Sequence, residues 1–86
     1  MDSPAASFLD AAQAAQAGAG IIAARHRGDR ATADALLSGL TDDRKADGFL
    51  FLADLAVTLL AGREGRSVDD VTAGLSQQIA SQIASI

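Results

Sequence analysis

Residues 41–65 read TDDRKADGFLFLADLAVTLLAGREG, and this stretch decides the fold. Thr41 can cap a helix with its hydroxyl, and Asp42 and Asp43 follow in the first turn, where negative charge suits the helix dipole. Apolar side chains then cover most of the helical circumference until the glycine-containing residues 62–65. A helix of about 42–61 with so narrow a polar stripe is expected at the centre of the fold, touched by other helices on more than one side.

The segment before this stretch predicts a long first helix over residues of about 4–27. Ser3 can cap it, and Pro4 fits its first turn, because the N–H that proline lacks has no partner there. Gly28 is the expected residue after the last turn. The two glycines within residues 18–20 each weaken a helix by about 1 kcal/mol relative to alanine, so they indicate either a kink or the close approach of another helix.

Two further capping signals complete the chain. Asp29 can cap a second helix over about 30–38, and Ser67 can cap a fourth over about 68–85. No stretch alternates apolar and polar residues with a period of two, so no strand is indicated. The sequence therefore predicts an all-α fold: a small helical bundle of three long helices plus one short connecting helix, in a single helical domain over residues 1–86.

Composition limits both the core and the available chemistry. Of the 86 residues, 20 are alanine and 21 are leucine, isoleucine, valine or phenylalanine. Alanine buries little surface, so we expect a thin core. Cysteine is absent, which excludes disulfides and thiolate metal sites. The bias toward Ala, Gly, Arg and Asp is typical of proteins encoded by GC-rich bacterial or phage genomes.

Charge and hydropathy bear on location. The longest strongly apolar run, residues 49–61, is too short to span a bilayer and contains Asp54. The first residues include Asp2 and Pro4, where a signal peptide would carry positive charge. We therefore expect a cytoplasmic protein without membrane association.

The first helix carries a seam of small residues. Its apolar residues recur with alternating steps of four and three, which is the spacing of a helix-pairing heptad. Such a seam on a long helix, in a chain with a thin core, predicts self-association into a homo-oligomer. The predicted self-association residues are Phe8, Ala12, Ala15, Ala19 and Ile22.

The fourth helix carries the predicted partner-binding face. Its large apolar residues fall within an arc of about 120° at 100° per residue. No charged residue occurs from Val71 onward, whereas helix surfaces that face solvent usually carry lysine and glutamate. A protein partner is therefore expected to contact Val71, Leu75, Gln78, Ile79, Gln82, Ile83 and Ile86.

Positive charge is densest between the first two helices. Arg25, Arg27 and Arg30 are candidate anion contacts, since they lie at one helix C-terminus and the next N-terminus. The alternative is that they complement the helix dipole and pair with acidic side chains. His26 is the only histidine, and a single imidazole does not make a metal site.

The stretch GLSQQIASQI at residues 74–83 resembles part of bacterial helix-turn-helix regulators, which carry Gly-Leu-Ser followed by an Ile-Ala pair. The resemblance implies an alternative function, a DNA-binding regulator with a turn at 74–76 and a recognition helix at 77–86. No lysine or arginine follows Arg66, although phosphate binding relies on such cations. With a net charge of -4 as well, nucleic acid is an unfavourable partner.

Three carboxylates on the third helix support the remaining alternative, an enzyme. Asp43, Asp47 and Asp54 share one helical face, where carboxylates can bind Mg²⁺ or transfer protons. A solvated stripe is the competing interpretation, and a buried Asp54 would require an arginine partner. The sequence contains no Ser-His-Asp order, no glycine-rich phosphate loop and no Cys/His spacing.

We therefore expect no catalytic, metal or cofactor-binding residue and no cofactor. The expected function is that of a small acidic helical protein–protein interaction module, which associates with itself and with a further protein partner. An adaptor, a regulator-binding protein or a phage-encoded or plasmid-encoded accessory protein would fit this description.

Overall fold

The computed structural model describes residues 4–86, with side chains from Ser7 onward, and these residues form four helices and no strand. The helices are α1 (Pro4–His26), α2 (Arg30–Ser38), α3 (Asp42–Glu64) and α4 (Val68–Ala84). The prediction of an all-α fold with three long helices and one short helix is confirmed. Ser3, the predicted cap of α1, lies outside the described residues.

Side chains at the predicted cap positions begin the last three helices. Asp29, Thr41 and Ser67 each accept a hydrogen bond from a backbone N–H three residues further on. The donors are Thr32 at 3.1 Å, Arg44 at 3.3 Å and Asp70 at 3.1 Å. Each bond satisfies one of the N–H groups that have no partner within the helix.

Two left-handed glycines end the first and third helices. Gly28 has a φ of 76° and follows α1, as predicted. Gly65 has a φ of 64°, and the next N–H, that of Arg66, donates to the carbonyl oxygen of Ala61 at 3.0 Å. The third helix therefore runs to Glu64 and not to the predicted residue 61. Gly62 lies inside the helix, because the positive φ that closes a helix occurs at Gly65.

The chain divides into two compact units, Met1–Ala53 and Asp54–Ile86, where the sequence predicts a single domain. The division falls within α3. In the first unit, Ile21 and Ala24 of α1 are buried with Ala33 of α2. Leu36, Leu40 and Phe49 pack against these three residues at the edge of the core.

A close approach in the first unit joins α1 to the start of α3. Ala14 is 1% exposed, and a Cβ added to Gly48 would lie 2.7 Å from both the carbonyl carbon and the Cβ of Ala14. Only glycine leaves room at this crossing. One turn further along α1, a Cβ on Gly18 would lie 3.2 Å from Cε1 of Phe49. The helix continues through residues 18–20, so the glycines here mark the predicted close approach of a neighbouring helix.

The expectation that α3 is central is wrong. Only its glycine at 48 and its alanine at 61 are buried, and Leu50 is 71% exposed. In the second unit, Ala61 and Val71 are the buried residues, while Leu55 and Leu59 are exposed. The wide apolar arc of α3 exceeds what its neighbours cover, since α2 is short and α1 offers mainly alanine and glycine at its buried positions.

We predict that Gly48→Ala lowers the free energy of unfolding by about 1–3 kcal/mol, because the backbone of Ala14 cannot move aside for the new methyl group. Gly62→Ala is the matched control, since no neighbouring atom lies within 4 Å of a Cβ at that position. It should raise stability by about 0.5–1 kcal/mol, because alanine favours a helix over glycine. Urea unfolding followed by far-UV circular dichroism measures both changes, and equal effects would contradict the close crossing.

Candidate functional site

The charged side chains of α4 are confined to its first turn. Asp69 and Asp70 lie in its first turn, near the positive end of the helix dipole. Beyond them, the sequence from Val71 to Ile86 has no charged side chain. All the charge of this helix is therefore at its N-terminal end.

Most of the predicted partner-binding residues form one exposed stripe along α4. Ile79 is 57% exposed and Ile83 is 65% exposed, and Leu75 and Ile86 are exposed as well. The two glutamines at 78 and 82 lie beside this stripe and are also exposed. The prediction includes Val71 wrongly, since that side chain is 2% exposed and belongs to the interior of the second unit.

Arg66 fixes the N-terminal end of this helix. Its Nη1 lies 3.0 Å from Oε2 of Glu64, and its Nη2 donates to the carbonyl oxygen of Asp70 at 2.9 Å. One side chain therefore joins the end of α3 to the first turn of α4, across a connection of three residues, 65–67. Because Glu64 neutralises the guanidinium, this cation is already engaged within the chain.

The predicted self-association seam on α1 lies partly in the interior. Ala15 is 5% exposed, so it cannot meet a second copy, and that assignment is corrected. Phe8 packs against Phe51 in an edge-to-face arrangement with ring centroids 5.6 Å apart, although it remains largely exposed. Ala12 is half-buried, and Ala19 and Ile22 are exposed.

The buried stripe of α1 lies one residue earlier than the predicted seam. Its buried residues are Ala14, Gly18, Ile21 and Ala24, with Ala15 beside them as the one member of the predicted seam that is buried. A shift of one residue rotates a helical face by about 100°. The alanine-rich sequence is compatible with both faces, because alanine occurs on each of them, and only the partner helices select one.

The three candidate anion contacts are separated by the structure. Arg27 points to Asp29, with Nη2 and Oδ2 4.0 Å apart. Arg25 and Arg30 instead line a groove of about 440 Å³, together with Asp34. The apolar part of the groove, which the sequence interpretation missed, comes from Ile21, Ala33, Leu37 and Phe49. The spacing of Ala33 and Leu37, one helical turn apart, was the available signal.

Asp29 holds the turn that carries these arginines. Its carboxylate caps α2, and the pKa of this carboxyl lies below its ordinary value of 3.8. The hydrogen bond with the side chain of Thr32 is the largest cause, followed by the bond from the Thr32 backbone N–H and the charge of Arg27. Asp29 therefore favours the folded state when it is ionised.

The acidic residues predicted to share one face of α3 lie in solvent. Asp43, Asp47 and Asp54 are all exposed, so Asp54 does not need an arginine partner. Among residues 4–86, no group of three or more His, Cys, Asp or Glu side chains is placed to hold a metal ion. The arrangement matches a solvated stripe.

The segment that resembles a helix-turn-helix lies wholly inside α4. This helix runs from Val68 to Ala84 without interruption, so the turn expected at 74–76 is not formed. The recognition helix of the DNA-binding alternative therefore does not begin at residue 77.

Comparison of the chain with protein-family models, with curated proteins and with solved structures finds no match. The function must therefore be argued from the chemistry of the exposed surfaces. Within residues 4–86, no helix has both the length and the apolar character needed to cross a membrane.

We predict that part of the stability depends on pH through Asp29. A lowered pKa in the folded state adds stability above the unfolded pKa of about 3.9, and this contribution is lost as pH falls through the folded pKa. Asp29→Asn keeps an oxygen for capping but does not titrate in this range. The stability difference between wild type and Asp29→Asn, measured by thermal unfolding from pH 6 to pH 2, should shrink toward low pH. A constant difference would contradict this role.

Proposed function

We propose that this chain is a small helical protein–protein interaction module, which acts in the cytoplasm and not by catalysis. Its docking element is the exposed apolar stripe of α4, formed by Leu75, Ile79, Ile83 and Ile86. An adaptor or a regulator-binding accessory protein is the role that fits such a module.

The observation that carries the proposal is the combination of exposure and neutrality on α4. Large apolar side chains that lie together in solvent mark interaction surfaces, and interface cores are depleted of charged residues. Leu75, Ile79 and Ile83 follow one another at steps of four, which is the anchor spacing of a helix that docks its apolar face into a groove or against another helix.

The apolar stripe alone does not supply the affinity of a stable complex. Completing the burial of these four side chains, of which Ile86 is fully exposed and the others are about half exposed, contributes about 4–8 kcal/mol. A micromolar complex requires about 8 kcal/mol, in addition to the cost of association. The flanking polar residues, Gln78 and Gln82, therefore have to form hydrogen bonds with the partner.

We predict that the tagged wild-type chain, purified under native conditions from its host, elutes in a complex of defined stoichiometry. Light scattering should give a mass well above the 8.7 kDa of one chain. Ile83→Asp should abolish this complex, because it places a carboxylate in the apolar contact. Gln77→Asp is the matched control, since it adds the same charge about 160° away from the stripe on the same helix.

Three results would contradict the proposal. The first is a wild-type chain that is monomeric at every concentration and that co-purifies with no stoichiometric partner. The second is a complex that Ile83→Asp leaves intact. The third is salt-sensitive retention of the purified chain on duplex DNA, which would favour the DNA-binding alternative instead.

A further inference from the structure

We propose that the stripe of α4 is occupied by α4 of a second copy of this chain, antiparallel to the first, with the two-fold axis at Ile79. This inference rests on the proposed function and names one partner of the docking surface. Leu55 and Leu59 of α3, exposed in the same unit, belong to the same contact. Four observations carry the inference: the size of the unit, the surface that it offers, its charge pattern and the order of its residues.

The second unit cannot supply its own core. It comprises residues 54–86, and within it Ala61 and Val71 are the buried residues. Helical units below about 40 residues generally need a disulfide, a metal or an oligomer to be stable. The chain has no cysteine, and the described residues contain no metal-binding group. Contact with another molecule would cover these apolar residues, and the area, the charge pattern and the order of the residues favour a second copy.

The area available matches a specific interface. α4 has 17 residues, and half of the lateral surface of such a helix is about 400 Å². The α3 segment of this unit, residues 54–64, adds about 250 Å² by the same geometry. Two copies would bury about 1,300 Å² in total, and specific complexes bury about 1,200–2,000 Å².

The charge pattern favours a second copy in the antiparallel orientation. Each chain carries a net charge of -4, so two copies repel one another except where their surfaces are neutral. A parallel pair would place Asp69 and Asp70 of both copies side by side. An antiparallel pair separates them by about 30 Å, beyond the screening length of about 8–10 Å, and also opposes the two helix dipoles.

The order of residues around Ile79 is nearly palindromic in chemical character. With the axis at Ile79, Leu75 faces Ile83 of the other copy, so apolar meets apolar on both sides of the axis. Ser76 and Gln82 occupy the next matching positions beside the stripe, and this pair can share a hydroxyl–amide hydrogen bond. A second copy therefore presents both the apolar anchors and the polar partners that the surface requires.

The α1 face is less suited to this contact. Phe8 already packs on Phe51, and Ala15 is buried. Ile22 shares a groove with Arg25 and His26, so two copies meeting there would bring like charges together. A variant at Ile22 therefore separates the two faces experimentally.

The test uses the purified full chain in sedimentation equilibrium from 1 µM to 1 mM. Wild type should form a dimer, and Ile79→Asp should raise its dissociation constant by about 30-fold or more, because two carboxylates meet at the axis and the apolar burial is lost. Gln77→Asp and Ile22→Asp should change it by less than about 3-fold. Far-UV circular dichroism identifies any variant that fails to fold.

Orientation is tested by a charge exchange. Leu75→Asp alone should weaken the dimer, and the double variant Leu75→Asp/Ile83→Lys should restore it, because position 75 faces position 83 only in the antiparallel pair. The absence of native cysteine allows a second readout. Oxidation of Ile79→Cys should cross-link the dimer, whereas oxidation of Gln77→Cys should not, since its sulfur atoms lie too far apart.

Four outcomes would overturn the inference. Wild type that stays monomeric at 1 mM excludes a second copy. Dissociation by Ile22→Asp instead of Ile79→Asp moves the contact to α1. The antiparallel register is excluded if the double variant does not restore the dimer, or if oxidation of Gln77→Cys cross-links it. If purified wild type is monomeric but a stoichiometric complex with a different protein is lost in Ile83→Asp, the proposed function stands and this inference fails.

Discussion

The crossing of α1 and α3 at Ala14 and Gly48 is the constraint on which the first unit depends. A methyl group at position 48 would overlap the backbone of Ala14, so the two helices meet almost backbone to backbone. Because the two helices lie so close together, the next residue, Phe49, packs over Gly18 and against the core formed by Ile21 and its neighbours. The small residues of α1 are therefore used for contact within the chain.

A consequence is that small side chains fill most of the buried positions, whereas most large apolar side chains are exposed. The buried positions are mainly alanine, with Ile21 and Val71 as the larger side chains, while the leucines and the other isoleucines are exposed or only partly buried. Alanine contributes little apolar area, so internal packing gives little stabilisation. The larger part of the apolar surface is still available to a partner, which is the physical reason for expecting the chain to act through association.

Local chemistry could be predicted from the sequence, and burial could not. The sequence correctly predicted the helix caps Asp29, Thr41 and Ser67. It also correctly predicted Gly28 as the residue that follows α1, because each of these residues acts within its own helical turn. The faces of α1 and α3 depend on which helices lie beside them. An alanine-rich helix offers several nearly equivalent faces, so the seam was placed one residue late, and the burial of Val71 was missed for the same reason. The groove beside Arg25 and Arg30 could not be predicted, because it depends on the relative positions of three helices.

The neutrality of α4 has to be reconciled with the acidity of the chain. Like charges repel between copies of an acidic protein, and of the eleven acidic residues of the chain, five occur along α3 and two in the first turn of α4. Arg66 binds the carboxylate of Glu64 and the carbonyl oxygen of Asp70, which holds the charged end of the unit in a fixed geometry. The neutral remainder of α4 is thus the part of the second unit where apolar burial is not opposed by charge. In the proposed dimer, specificity would follow from repulsion as much as from attraction, because any register that brings the acidic ends together is disfavoured.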